Sequence, residues 1–186
     1  MKKRKKGVSV LISAIIIAGA VCLIYFFVLS QCQLDYKNEI SKYAKEYELE
    51  PYFLAAIIKT ESNFNKDAAS SKGALGLMQI TEDTEVWISK RLGEVYEKNS
   101  VLEPEKNIRY GSWYIKYLID KYDGNQNLAI LAYNAGFGNV DKWITEKKIT
   151  GRFLEFQNIP FKETRNYLVK TRIYSVLYKY LYDWKS

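Results

Sequence analysis

Twenty-two consecutive uncharged residues, Val8 to Leu29, stand behind Lys2, Lys3, Arg4, Lys5 and Lys6. No other feature restricts the chain as strongly. At 1.5 Å rise per residue a helix of this length covers the roughly 30 Å hydrocarbon core of a bilayer, so the run predicts one transmembrane helix over 8–29. Residues 1–7 are then a cytoplasmic basic tail, because cations flanking a span stay on the cytoplasmic side. Everything after the span is extracytoplasmic, in a single-pass arrangement. That remainder, residues 34–184, is long enough to bury one core and is predicted as one domain.

Two other fates of the run fit less well. A cleaved signal peptide has an apolar region of about 7 to 15 residues ending in a small-x-small site, whereas this longer run ends in Leu29-Ser30-Gln31. Leu29-Ser30-Gln31-Cys32 resembles a bacterial lipoprotein cleavage box, but Gln31 stands where that pattern has a small residue. A retained anchor is the expectation.

Charge and side-chain chemistry narrow the function. No Asp or Glu precedes Asp35, so the domain beyond the span carries 23 basic and 21 acidic residues, a net charge of only +2 against +7 for the whole chain. The basicity is mostly a topology signal and makes no case for nucleic acid, which needs a clustered basic face. Cys22 lies inside the span, and Cys32 is about 15 Å further along a continuous helix, too far for a disulfide. The chain has no histidine, which removes Ser-His-Asp and Cys-His triads, His-ligated zinc and imidazole acid–base chemistry. Reactions fall to carboxylates, tyrosines, lysines and amides, and no metal or organic cofactor is expected.

Helical periodicity dominates the domain. Tyr36, Ile40, Tyr43, Ala44 and Tyr47 predict an amphipathic helix from about Leu34 to Glu48. Pro51 suits the first turn of a second helix, running to about Phe64. Small and polar residues with Gly73 and Gly76 predict a loop from Asn65 to Gly76. Thr81 or Thr84 can cap a third helix that holds Val86, Trp87, Ile88 and Leu92 and stops at Gly93. A fourth runs from Pro104 through Ile108, Tyr110, Trp113, Tyr114, Tyr117 and Leu118 to Gly124. A fifth spans Asn125 to Tyr133, and Gly136 and Gly138 separate it from a short helix over Val140 to Ile144. After a loop containing Pro160, the last helix spans Glu163 to Trp184 and carries Tyr167, Ile173, Val176, Leu177 and Leu181. No segment shows sustained strand alternation. The fold class is all-α.

In the second helix Leu54, Ile57 and Ile58 mark an apolar stripe whose next position, by the i, i+3, i+4, i+7 rule, is Glu61. Burial would raise its pKa and keep a proton on it near neutral pH, as a general acid requires. The plainer alternative is a glutamate in the last turn that faces water. Ser62 and Asn63 beside it are ordinary helix-end residues that can also hydrogen-bond a ligand. Gly73-Ala74-Leu75-Gly76 is no phosphate loop, because no Gly-Lys-Ser/Thr follows and a helix precedes it. Gly76 can let backbone approach a ligand, and Gln79 offers both a donor and an acceptor.

Glu61-Ser62, Gly76-Leu77-Met78-Gln79, Ala132-Tyr133-Asn134-Ala135-Gly136 and Glu163-Thr164-Arg165-Asn166-Tyr167, in that order, resemble the motifs of the soluble lytic transglycosylase catalytic domain. The similarity covers roughly Leu34 to Trp184. It implies a lysozyme-like (goose-type/transglycosylase) helical domain, here after one N-terminal transmembrane helix. It further implies that Glu61 is the catalytic acid and then base in non-hydrolytic cleavage of the MurNAc-GlcNAc β-1,4 bond of peptidoglycan, forming 1,6-anhydro-MurNAc. Substrate-binding roles would fall to Ser62, Gly76, Met78, Gln79, Tyr133, Asn134 and Tyr167, with Tyr167 beside Glu61. Without the resemblance, Tyr133 and Tyr167 would read as core aromatics in a chain holding 16 Tyr and 8 Phe.

Tyr110, Trp113 and Tyr114 are assigned to the core. Asp67, in a polar loop, and Glu163, at a helix start where the dipole favours a carboxylate, are expected to be structural or solvated. The expectation is thus a membrane-anchored carbon–oxygen lyase. Its expected partners are peptidoglycan glycan strands, the cytoplasmic membrane through the anchor, and cell-envelope assembly proteins. A hydrolytic muramidase of the same fold and a non-catalytic glycan-binding or scaffold protein are the rivals.

Overall fold

The computed structural model describes residues 2–184, with the side chains of 2–12, Ala14 and Phe156 left outside the description. Two compact units divide it, Met1–Gln33 and Leu34–Ser186. The first contains one helix, α1 (Lys2–Gln31). Within it Ile15, Ile16, Ile17, Leu23, Ile24, Phe26 and Phe27 are each more than half exposed, so the described part of α1 presents apolar side chains on all sides rather than along one stripe. Among the described residues no helix is long and apolar enough to cross a membrane. Residues 8–12 and Ala14, which the predicted span includes, lie outside the residues whose side chains are described.

The second unit holds seven α-helices among the described residues: α2 (Lys37–Glu46), α3 (Pro51–Ser62), α4 (Glu82–Leu92), α5 (Pro104–Lys121), α6 (Gln126–Ala135), α7 (Phe137–Thr145) and α8 (Lys162–Leu181). Short 3₁₀ turns occupy Ser100–Leu102 and Phe153–Asn158. No strand is present among the described residues beyond the isolated bridges Ala69–Leu75 and Leu75–Ile80.

The core is built around α3. Pro51 sits in its first turn, and Phe53, Leu54, Ala55, Ala56, Ile57 and Ile58 are all buried. Each large apolar side chain there contributes about 1.5–3 kcal/mol relative to exposure. Helix α8 packs along α3, α6 packs against both α5 and α8, and α2 packs on α3 and α5. The α3–α8 contact is close because the buried face of α8 carries small polar residues: Thr164, Thr171 and Ser175 accompany Tyr167, Leu168 and Tyr178. The Thr171 hydroxyl meets that of Thr60 at 3.3 Å across the seam. Ile173 and Val176, apolar residues that the last helix carries, are 54% and 56% exposed.

Helix boundaries differ from the sequence expectation where backbone enters the left-handed region. Tyr36 (φ 58°) delays α2 to Lys37, and Glu48 (φ 53°) lies beyond its end. Asn63 (φ 55°) ends α3 at Ser62 rather than Phe64. Gly136 (φ 81°) alone separates α6 from α7, and Gly138 lies inside α7. Helix α8 ends at Leu181, short of Trp184.

Candidate active site

Glu61 stands in the last turn of α3, half-buried, at a cleft of about 520 Å³. Left-handed Asn63 and Phe64 (φ 55° and 63°) then turn the chain into the 65–80 segment. Such conformations are sterically costly for residues with a Cβ, and a third, Gln79 (φ 49°), lies on the cleft wall. The 65–80 segment folds back on itself through the mutual Leu75–Ile80 backbone pair and Gly76 N–H to Ala68 O at 2.8 Å.

Tyr167, from α8 and 106 residues further along the chain, donates its hydroxyl to Glu61 Oε1 at 2.7 Å. Burial pushes the Glu61 carboxyl up to about 7; the Tyr167 hydrogen bond opposes this, and the charge of Glu163 adds to it. Burial, followed by the proximity of Glu61, holds the Tyr167 hydroxyl well above its ordinary value. Tyr167 therefore keeps its proton and orients the carboxyl. Tyr133 is likewise held protonated by burial first and Glu61 second.

The predicted site residues fall into two layers. Glu61, Gln79, Tyr133, Asn134 and Tyr167 line the cleft. Ser62, Gly76 and Met78 stand behind its wall. The Ser62 hydroxyl donates to Leu77 O at 2.8 Å, Gly76 and Met78 are buried, and Met78 O accepts from Tyr133 Oη at 2.8 Å. Gln79 Nε2 is turned inward onto Ala68 O and Gly76 O. Asn134 Oδ1 accepts from the Thr164 hydroxyl at 2.7 Å, joining α6 to α8.

Glu163 is the second carboxylate lining the cleft, but its side chain is 73% exposed and lies 3.9 Å from Lys72. Asp67 is exposed and paired with Lys66 at 3.1 Å. Thr81, Asn166 and Lys170 also line the cleft and were missed from the sequence. Asn166 and Lys170 follow Glu163 and Tyr167 on one face of α8, so helical spacing was the available signal. Tyr110 is buried with its hydroxyl on Glu94. Tyr114 borders a smaller hollow with Asp83, Thr84, Trp87 and Phe137, rather than lying wholly in the core. No group of three His, Cys, Asp or Glu among the described residues could hold a metal.

The all-helical domain thus presents one half-buried carboxyl, pushed up to about 7, to an open polar cleft, which is the protonation state a general acid requires. Residues 38–155 match the sequence model of the Transglycosylase SLT domain, and the chain belongs to that family. The chain is 31% identical over 156 residues to the soluble lytic murein transglycosylase of Salmonella typhimurium, across 82% of this chain and 24% of that protein. It is 35% identical over 115 residues to the membrane-bound lytic murein transglycosylase C of Edwardsiella ictaluri, across 56% of this chain and 32% of the relative.

Among solved structures, the 70 kDa soluble lytic transglycosylase of Escherichia coli superposes with a TM-score of 0.79 at 28% identity, over 85% of this chain and 26% of that one. An inactive variant of the lytic transglycosylase Slt of Pseudomonas aeruginosa superposes at 0.72 with 32% identity, over 79% of this chain and 24% of that one. The chain thus spans about a quarter of the length of the soluble relatives it matches.

Proposed function

We propose that this protein is a peptidoglycan lytic transglycosylase that uses Glu61 as its single acid and base. The observation that carries the reading is the Glu61 carboxyl, oriented by Tyr167 at 2.7 Å and titrating at about 7 through burial. It is protonated often enough near neutral pH to donate, and it is basic enough afterwards to accept. The names of the relatives support the substrate, one relative has been solved with bulgecin A, and the inactive Pseudomonas variant differs by one Glu-to-Gln exchange.

In the reaction Glu61 gives its proton to the oxygen leaving MurNAc C1 as that C–O bond breaks. The carbonyl oxygen of the MurNAc acetamido group stabilises the cationic C1. Glu61, now a carboxylate, takes the proton of the C6 hydroxyl, O6 bonds to C1, and a 1,6-anhydro ring closes with no water consumed. One carboxylate suffices, unlike the paired scheme of most glycosidases. Glu163, exposed and beside Lys72, is left without a chemical step. Gln79, Tyr133 and Asn134 would position the sugars, while Ser62, Gly76 and Met78 would shape the wall.

We further propose that α1 is a retained anchor with its N-terminus in the cytoplasm, which would hold the cleft near the outer face of the cytoplasmic membrane, where cell-envelope assembly proteins would be its neighbours. An apolar surface on every side of a helix is what a lipid environment accepts.

Mass spectrometry of cell wall digested by the full chain in detergent tests the reaction. The expected products carry anhydro ends, lighter by one water than hydrolytic products, and Glu61→Gln releases none. Reducing ends would instead identify a muramidase, and release at the parental rate by Glu61→Gln would leave only a binding role.

A further inference from the structure

Behind the cleft, one side chain serves three backbone groups on two segments of the chain. Asn107, in the first turns of α5, is fully buried. Its Oδ1 accepts Met78 N–H at 2.7 Å, and its Nδ2 donates to Leu75 O at 3.0 Å and Val101 O at 2.7 Å. One N–H against the oxygen and two carbonyls against the nitrogen fix the orientation of the amide, since no other side chain of this size offers that pattern. Gly76 passes so close that a Cβ there would lie 2.3 Å from Asn107 Nδ2. One turn further along α5, a Cβ on Gly111 would lie 2.3 Å from Met78 Sδ. Helix α5 thus presents an amide followed by bare backbone, shaped to receive the Met78 residue.

The Met78 peptide links this platform to the cleft. Its N–H is taken by Asn107 and its carbonyl by Tyr133 Oη, while the preceding Leu77 carbonyl takes the hydroxyl of Ser62, next to Glu61. Tyr133 lines the cleft with Glu61, whereas Asn107, Gly111, Leu75 and Val101 do not. We propose that Asn107 is a positioning residue that acts through the Met78 peptide, setting the Tyr133 ring and the Ser62 turn that keep water from Glu61. The proposal rests on Glu61 being the reaction's acid. It assigns no contact with substrate to Asn107.

The rival is that Asn107 only satisfies buried backbone groups, so that its loss lowers stability and nothing else. Two variants of the full chain in detergent separate these. Asn107→Ser is neutral and too short to span the three partners. Gly111→Ala removes no hydrogen-bonding group but drives a methyl into Met78, and so decides the matter if the first variant does not fold.

Both are assayed well below their melting temperatures. Glu61 titration is followed by carbon NMR of labelled glutamate carboxyls, with its signal identified by its loss in Glu61→Gln. The expected result is a Glu61 titration moved from about 7 toward the ordinary carboxylate range. The alkaline limb of kcat should move with it, and kcat should fall by about 10- to 100-fold, as a misplaced catalytic group gives, with KM little changed. A folded variant with unchanged Glu61 titration and unchanged kcat would overturn the proposal. If Glu61→Gln proves fully active, the catalytic reading fails instead, and the NMR titration still reports on Asn107.

Discussion

At Glu61, function and stability pull in opposite directions. An ordinary glutamate titrates near 4.5, and burial in the folded domain raises this one to about 7. Between those values the native state keeps a proton that the unfolded chain releases, so stability falls as pH rises through the window and the loss is complete above it. At about 1.4 kcal/mol per unit, the loss is on the order of 3 kcal/mol. Glu61→Gln removes the titration and keeps an oxygen for Tyr167. By scanning calorimetry the variant is expected to melt several degrees above the parent at pH 8 and together with it at pH 4. Equal midpoints at both values would show a solvated carboxyl and remove the basis for acid catalysis. Parental kcat should fall as pH rises through about 7, where the folded carboxyl loses its proton, because the proton donor is the form lost there.

The seam between α3 and α8 places Tyr167 on Glu61, and it was the element least legible in the sequence. Period 3.6 correctly marks the buried stripe of α3 as far as Glu61, because that stripe is apolar in type. The buried face of α8 runs through Thr164, Thr171 and Ser175, small polar residues that allow close approach, while Ile173 and Val176 point outward. Hydrophobicity alone therefore selects the wrong face. Asn107 was overlooked for a related reason, since a polar residue near a helix start reads as a solvated end, yet it is fully buried with three partners. The outer motif residues Tyr133, Asn134 and Tyr167 were singled out through family resemblance rather than a local physical signal, whereas Gln79 was also noted for its donor and acceptor. Thr171→Leu is expected to overpack the seam and destabilise the domain by about 1–3 kcal/mol. It should also weaken the Tyr167 contact one turn away, lowering kcat. Ile173→Lys and Val176→Lys, changes that look harsher, should stay within about 0.5 kcal/mol. Denaturant melts rank the three, and a reversed order would mean that α8 is rotated from the face described.

At the scale of the whole molecule, Leu34–Ser186 forms a compact unit by itself, with its core supplied by its own helices: Ile40 from α2, Leu54 and Ile57 from α3, Ile108 and Ile115 from α5, and Tyr178 from α8. A domain that buries its apolar residues internally is expected to fold without residues 1–33. The charges divide the same way, with five cations before the apolar run and a nearly balanced domain after it, so membrane attachment and catalysis should be separable. The full chain is expected in the membrane fraction, resistant to high salt and alkaline carbonate and released by detergent. Removing residues 2–33 should make it soluble without lowering the melting temperature of the remaining domain or its rate on isolated cell wall. An intact mass lacking the first thirty or so residues in cells would mean that the run is a cleaved leader. A large fall in melting temperature on truncation would mean that the domain's stability depends on the first unit. Salt release of the full chain would point to attachment through Lys2 to Lys6 alone, because electrostatic attraction to a lipid surface is screened within about 10 Å at 0.1 M salt, whereas an apolar helix in the bilayer is not dislodged by salt.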